Sequence, residues 1–328
     1  MITGKYPSLR LRRSRKYIWS RKLVQENNLS SSDLIYPIFL IEGKNKVQKI
    51  SSMPNVFRYT IDKLDSVVNR AVKSKIPMIA LFPSTPQNKK DNFGSEALNE
   101  NNLVCRATQY IKKRFKNDIG IMCDVALDPY TSHGHDGLLE KNYILNDETI
   151  DILIKQSLIL AQMGADVIAP SDMMDGRIGK IRKFLDKNNY HDVQLLSYAV
   201  KYASNFYGPF RDAVGSKKSL KSDKKNYQMD FNNSNESLRE VALDIKEGAD
   251  MIMVKPGMPY LDIIQKVKEN FKIPVLAYQV SGEYSIIKYG IKNKLISEES
   301  IIESLMSFKR SGAAAIVSYF ALDIAKKL

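Results

Sequence analysis

Ala249-Asp-Met-Ile-Met-Val-Lys-Pro-Gly-Met-Pro259 is an apolar run that delivers Lys255 to its end and is stopped at once by Pro256 and Gly257. A second run, Val193-Gln-Leu-Leu-Ser-Tyr-Ala-Val200, ends in the same way on Lys201. Short apolar runs bounded by turn residues read as strands buried on both faces. A lysine on a solvated face keeps its proton. At the mouth of a buried strand, desolvation and any nearby cation both disfavour the ammonium. If the two strands are neighbours in one parallel sheet, both amines enter one cleft and each lowers the proton affinity of the other. A neutral amine attacks a ketone and forms a Schiff base. The plainer reading is a lysine whose stem covers the strand end while its ammonium stays in water.

The pattern repeats along the chain. Apolar, β-branched-rich runs occupy residues 34–40, 76–83, 120–129, 165–170, 193–200, 250–256, 273–280 and 313–319, with helical periodicity between them. Such alternation over about 290 residues predicts a (β/α)8 TIM barrel. A doubly wound open sheet is the alternative, but no Gly-x-Gly-x-x-Gly follows the first run. Barrel enzymes place their chemistry at the C-terminal strand ends. There the runs deliver Asp124 and Asp128, Ser171 and Asp172, Lys201, Lys255, Ser281 and Tyr319, groups that suit carbonyl chemistry.

Five segments, in order, resemble the porphobilinogen synthase (5-aminolevulinate dehydratase) family, over a span from about residue 5 to the C-terminus. They are Asp124-Val-Ala-Leu-Asp-Pro-Tyr-Thr-Ser-His-Gly-His-Asp-Gly137, Ala169-Pro-Ser-Asp-Met-Met-Asp-Gly-Arg177, Lys201-Tyr-Ala-Ser-Asn-Phe-Tyr-Gly-Pro-Phe-Arg211, Met253-Val-Lys-Pro-Gly257 and Tyr278-Gln-Val-Ser-Gly-Glu-Tyr284. The resemblance implies a lyase of tetrapyrrole (haem) biosynthesis that condenses two 5-aminolevulinate molecules to porphobilinogen with loss of two waters. Lys255 and Lys201 would each hold one substrate as a Schiff base. Ser281 and Tyr319 would meet the first substrate's carboxylate, and Arg211 and Lys224 the second's, with Lys225 adjacent and able to substitute for Lys224. Asp124, Asp128, Ser171 and Tyr207 would support the site. Residues 211–235, polar and lysine-rich, would form a lid on the barrel, which itself takes residues 31–328.

The resemblance also bears on metals. One branch of the family holds a catalytic zinc with three cysteines, and those positions here are Ala126, Asp128 and Asp136. Carboxylates suit magnesium better than zinc, and Cys105 and Cys123, the two cysteines of the chain, stand elsewhere. No catalytic zinc is therefore expected, and His133 and His135 read as loop residues. The zinc-free branches use a magnesium remote from the chemistry, held largely through water, which here would fall to Glu240 as an allosteric site.

The formal net charge is +14, from 50 Lys+Arg against 36 Asp+Glu. No nucleic-acid-binding motif accompanies the dispersed lysines, so no nucleic-acid partner is expected, and two anionic substrates account for part of the charge. No apolar stretch approaches a membrane span. Few cysteines and no secretory signal suggest a reducing compartment; the expectation is cytoplasmic, with a plastid as the alternative had a leader been trimmed. Residues 1–30 form a basic arm carrying Ile18, Trp19 and Leu23. In the family such an arm wraps a neighbouring barrel and builds a homo-octamer. Two rivals stand beside this reading: a class I aldolase, which needs one Schiff-base lysine, and a non-catalytic barrel that binds anionic metabolites.

Overall fold

A computed structural model describes residues 4–215 and 223–328. Eight parallel strands close a barrel: β1 (Leu34–Ile41), β2 (Met78–Ser84), β3 (Gly120–Val125), β4 (Val167–Pro170), β5 (Gln194–Lys201), β6 (Met251–Lys255), β7 (Val275–Tyr278) and β8 (Ala315–Val317). They are hydrogen-bonded in chain order, and β8 closes on β1 through the pairs Leu34 with Ile316 and Ile35 with Val317. The (β/α)8 expectation holds. Every strand is almost wholly buried because the helices between strands cover the outside while side chains fill the inside. The helix Leu64–Lys73 shows how: Leu64, Val67, Val68 and Ala71 are its buried residues, spaced as one face of a 3.6-residue period. Each large apolar side chain so buried contributes about 1.5–3 kcal/mol. A small ribbon, Val47–Lys49 antiparallel to Phe57–Tyr59, extends from β1.

Several strands are shorter than their apolar runs. β3 stops at Val125, so Asp128 lies in the loop beyond it, and β7 stops at Tyr278, so Ser281 opens the helix Ser281–Lys292. Between β5 and β6 the register slips: Ile252 pairs with Ser197, but Val254 pairs with Val200 and Lys255 with Lys201. This bulge resets the alternation of β5. Without it, Ser197 and Lys201, four residues apart, would share a face. With it, Ser197 meets the covering helices through Asp244, while Lys201 enters the mouth of the barrel.

The arm carries a 3-10 turn, Leu11–Arg15, and a short helix, Ile18–Leu23, in which Ser20 alone is buried. Of the lid expected over 211–235, residues 216–222 lie outside the described residues. The flanks carry Arg211 on the helix Gly208–Ala213 and Lys224 on the returning segment.

Candidate active site

Lys255 and Lys201 are register partners on adjacent strands, and both line one cavity at the C-terminal mouth. Asp128, Tyr207, Phe210, Arg211, Lys224 and Gln228 complete its wall. The two amines have different surroundings. The Lys255 Nζ sits among aromatic rings, 4.7 Å from the centroid of Tyr278, 5.1 Å from those of Tyr198 and Phe210, and 5.6 Å from that of Tyr207. No carboxylate lies within 4 Å of it among the described residues. Burial, with the Lys201 charge added, lowers its pKa to about 8 against the pull of Asp124. Lys201, by contrast, is ion-paired with Asp136 at 3.4 Å and donates to the carbonyl of Ser171.

Asp136 is the hub of the polar side. One oxygen accepts from Lys224 at 2.9 Å, Gln228 donates at 3.3 Å to the other, which also faces Lys201, and Asp128 stands 3.6 Å from Lys224. Burial alone would raise the Asp136 carboxyl, but the charges of Lys201 and Lys224 carry it well below the usual carboxylate range. Asp124 has the opposite fate. It is half-buried with one buried oxygen unpartnered, and desolvation pushes it up to about 6 despite the Lys255 charge. The sequence treated Asp136 only as a position lacking a cysteine. Its role in pairing two lysines becomes visible only when the loop after β3 meets β5 and the segment that carries Lys224.

The remaining candidates split into those facing the cavity and those bracing it. Arg211 lines the cavity and has no acidic partner within 4 Å among the described residues. Lys224 points inward while Lys225 is exposed. Ser281 is buried, and its hydroxyl accepts the Phe210 N–H at 2.8 Å, tying the helix that carries Arg211 to the turn after β7. The Tyr319 hydroxyl meets that of Tyr278 at 3.1 Å, and its ring stacks on Phe39. Tyr207 bridges the carbonyls of Tyr202 (2.9 Å) and Lys255 (3.1 Å), so it braces the ends of β5 and β6. Ser171 follows β4 directly and is buried beside Lys201.

These strand ends belong to a chain whose relationships are unambiguous. The family model for delta-aminolevulinic acid dehydratase matches residues 8–327. The chain belongs to that family. A delta-aminolevulinic acid dehydratase of Bradyrhizobium diazoefficiens is 56% identical over 322 residues, covering 98% of this chain and 91% of the relative. One from Methanothermus sociabilis is 47% identical, covering 99% of this chain and 100% of the relative. The crystal structure of the Toxoplasma gondii family member, porphobilinogen synthase in complex with its reaction product porphobilinogen, superposes with a TM-score of 0.95 at 44% identity. That match covers 98% of this chain and 91% of the other.

Away from the lysines, Glu240 lies half-buried on the helix Asn235–Glu247 and shares a surface cavity with Asp175 and Glu236. Burial pushes its carboxyl up to about 7 although Arg177 opposes this. No group of three or more His, Cys, Asp or Glu is arranged to hold a metal directly among the described residues. Arg177 is fully buried between Asp172 and Asp244, 3.5 Å from each, and donates to Ser197 at 3.3 Å. No role for Arg177 is legible in the sequence, because its partners come from three separate segments. Cys105 and Cys123 are buried thiols, each pushed up to about 12 by burial, and Cys123 contacts Thr108 rather than the cavity. No helix among the described residues is long and apolar enough to cross a membrane.

Proposed function

We propose that this chain is a cytoplasmic porphobilinogen synthase that joins two 5-aminolevulinate molecules through imines on Lys255 and Lys201. The observation that carries the reading is the pairing of these two buried lysines, side by side in register in one cavity. One C–C bond and one C–N bond form, and the two ketone oxygens leave as water. Each lysine amine attacks a ketone, and its carbinolamine loses water to give an imine that acidifies the adjacent carbon. Tethering both substrates converts a bimolecular condensation into a step of fixed geometry. The lowered proton affinity of Lys255 supplies the nucleophile for the first capture, and its aromatic wall excludes competing water. Arg211 and Lys224 receive one substrate's carboxylate, Arg211 as a bidentate fork and Lys224 as a point charge. Ser281 and Tyr319 receive the other's.

Magnesium fits the chain as a remote ligand and not as a reactant. Glu240, Glu236 and Asp175 face one cavity without the close approach that direct ligation requires, which suits a hydrated ion. A cation there would lower the charge repulsion on Glu240. At the mouth, Asp128 and Asp136 are engaged by lysines, and the third former zinc position is Ala126. The chemistry there proceeds without zinc.

The deciding assay is purified protein with 5-aminolevulinate and detection of a pyrrole product. No pyrrole, with or without magnesium, overturns the reading. Turnover of Lys201→Ala at the wild-type rate would instead favour a single-lysine aldolase.

A further inference from the structure

The chain just after Lys255 is held by one buried carboxylate that the mechanism above does not use. Glu283 is 3% exposed. One of its oxygens accepts the N–H of Met258 at 2.5 Å; the other accepts those of Val280 at 2.5 Å and Gly257 at 3.4 Å. A glutamate at the third position of a helix ordinarily caps its own first turn, and the Val280 contact does that for the helix Ser281–Lys292. The contacts to Gly257 and Met258 do nothing for that helix. They cross to the turn that ends β6, the strand that carries Lys255. No cation lies within 4 Å of Glu283 among the described residues; burial pushes its carboxyl up to about 7, and the backbone N–H donors of Met258, Val280 and Gly257 are what oppose this.

The two turns leave no room for another device. A Cβ on Gly257 would lie 2.4 Å from the Phe308 ring and 3.0 Å from the Tyr278 carbonyl. One on Gly282 would lie 2.4 Å from the Phe206 carbonyl. The Gly257 turn therefore lies directly against the end of β7, while Gly282 packs on the Phe206 backbone, and the donors of the turns at Gly257 and Val280 converge on Glu283. On one side of the clamp stands Lys255; on the other stands Ser281.

We propose that Glu283 is a positioning residue: its carboxylate locks the turn after Lys255 to the turn before Ser281, and so fixes the imine-forming amine relative to the carboxylate subsite of the same substrate molecule. This rests on the Schiff-base reading above. In 5-aminolevulinate the ketone and the carboxylate are separated by two methylenes, so a clamp that lets the two turns drift takes the ketone away from the amine, and a misplacement of about 1 Å costs on the order of 100-fold in rate. A carboxylate can serve both turns because every lone pair accepts. A glutamine has one accepting oxygen and would set its NH2 against backbone donors on the other side.

The test uses the full-length protein and levulinate, a keto acid of the same skeleton without the amine, with borohydride reduction and peptide mass spectrometry at each lysine. Glu283→Gln is expected to slow labelling of Lys255 at least tenfold, to leave labelling of Lys201 within twofold, and to lower kcat for pyrrole formation about tenfold or more. Glu283→Asp keeps the charge with a shorter reach and is expected to fall between wild type and Glu283→Gln. Labelling of Lys255 at the wild-type rate in Glu283→Gln, or equal slowing at both lysines, overturns the proposal. If Glu283→Gln does not fold, the same comparison in Glu283→Asp decides it: selective loss at Lys255 supports the clamp and equal loss removes it. Wild-type protein that labels at both lysines and forms pyrrole, with no selective effect in either variant, sinks the clamp alone. Wild-type protein that labels at neither sinks the Schiff-base reading with it.

Discussion

Lys255 and Lys201 are chemically identical, and the barrel separates them by what it places around each amine. Lys255 is among rings with no carboxylate within 4 Å among the described residues, and Lys201 is beside Asp136. For Lys255 the consequence is a sign that can be checked. In the folded chain its pKa is about 8, below the ordinary lysine value of 10.5. Between those values the unfolded chain holds a proton that the folded one lacks, so stability rises with pH across that window, and the cost of the buried charge is fully present below about 8. The reactive amine follows the same titration. Reductive trapping of levulinate on Lys255 should therefore rise with pH through about 8 and then level, and Lys255→Met should trap nothing at that position. A rate that is flat from pH 6.5 to 9.5 would show that amine ionisation does not control capture. Lys224 and Lys225 offer a second comparison, because one faces the cavity and the other faces solvent. Lys224→Ala should weaken substrate use by roughly 1.5–3 kcal/mol, the worth of a hydrogen bond to a charged group, and Lys225→Ala should change it by less than about 0.5 kcal/mol. Steady-state kinetics on the pair reads this directly; the reverse order would move the carboxylate contact to Lys225.

Between the elements, the connections matter more than the strands. The helix Asn235–Glu247 carries Glu240 on its surface and Asp244 in its interior. Asp244 holds Arg177 and Ser197, and Arg177 holds Asp172, the neighbour of Ser171, whose carbonyl receives Lys201. A buried polar path thus runs from the Glu240 cavity to an active-site amine. Removing one partner of a buried charged group is costly, which makes such a path stiff. Magnesium bound at Glu240 should therefore raise turnover, and Glu240→Ala should abolish that activation while leaving the basal rate within about threefold. A magnesium titration of both proteins checks this. Activation that survives in Glu240→Ala would place the ion elsewhere, and activity lost on zinc chelation would contradict the absence of thiolates from the mouth.

At the scale of the molecule, the arm leaves its largest apolar side chains uncovered by its own barrel. Ile18 and Trp19 are each 66% exposed and Leu23 is 77% exposed. Clustered apolar exposure of this kind marks a contact surface. Burying these three against another subunit would contribute about 1.5–3 kcal/mol per side chain, repeated around a closed assembly in which every subunit gives and receives an arm. The full chain should be a homo-octamer. Deletion of residues 1–30 should yield smaller species with reduced turnover although every cavity residue remains. Light scattering and activity on the truncated protein test this, and an octameric, fully active truncation would remove the arm from assembly and catalysis alike.

The sequence by itself determined the barrel, the strand order and the placing of Lys255 and Lys201 at strand ends, because each depends on local patterning. An apolar run of strand length, ended by a turn, can be read wherever it occurs, and the residue at its end lies at the catalytic rim whatever surrounds it. The positions of Ser281 and Tyr319 at this end of the barrel were legible in the same way, though each stands a little beyond its strand. The lone Lys255 in its ring of Tyr198, Tyr207, Phe210 and Tyr278, the pairing of Asp136 with two lysines, the Arg177 hub and the Glu283 clamp were not legible. Each is made by side chains tens of residues apart, brought together by loop paths and by the bulge in β5. Burial and charge balance at such a point are properties of the assembled neighbourhood, so only the tertiary structure decided which titratable groups are paired, which stand alone, and which way their proton affinities move.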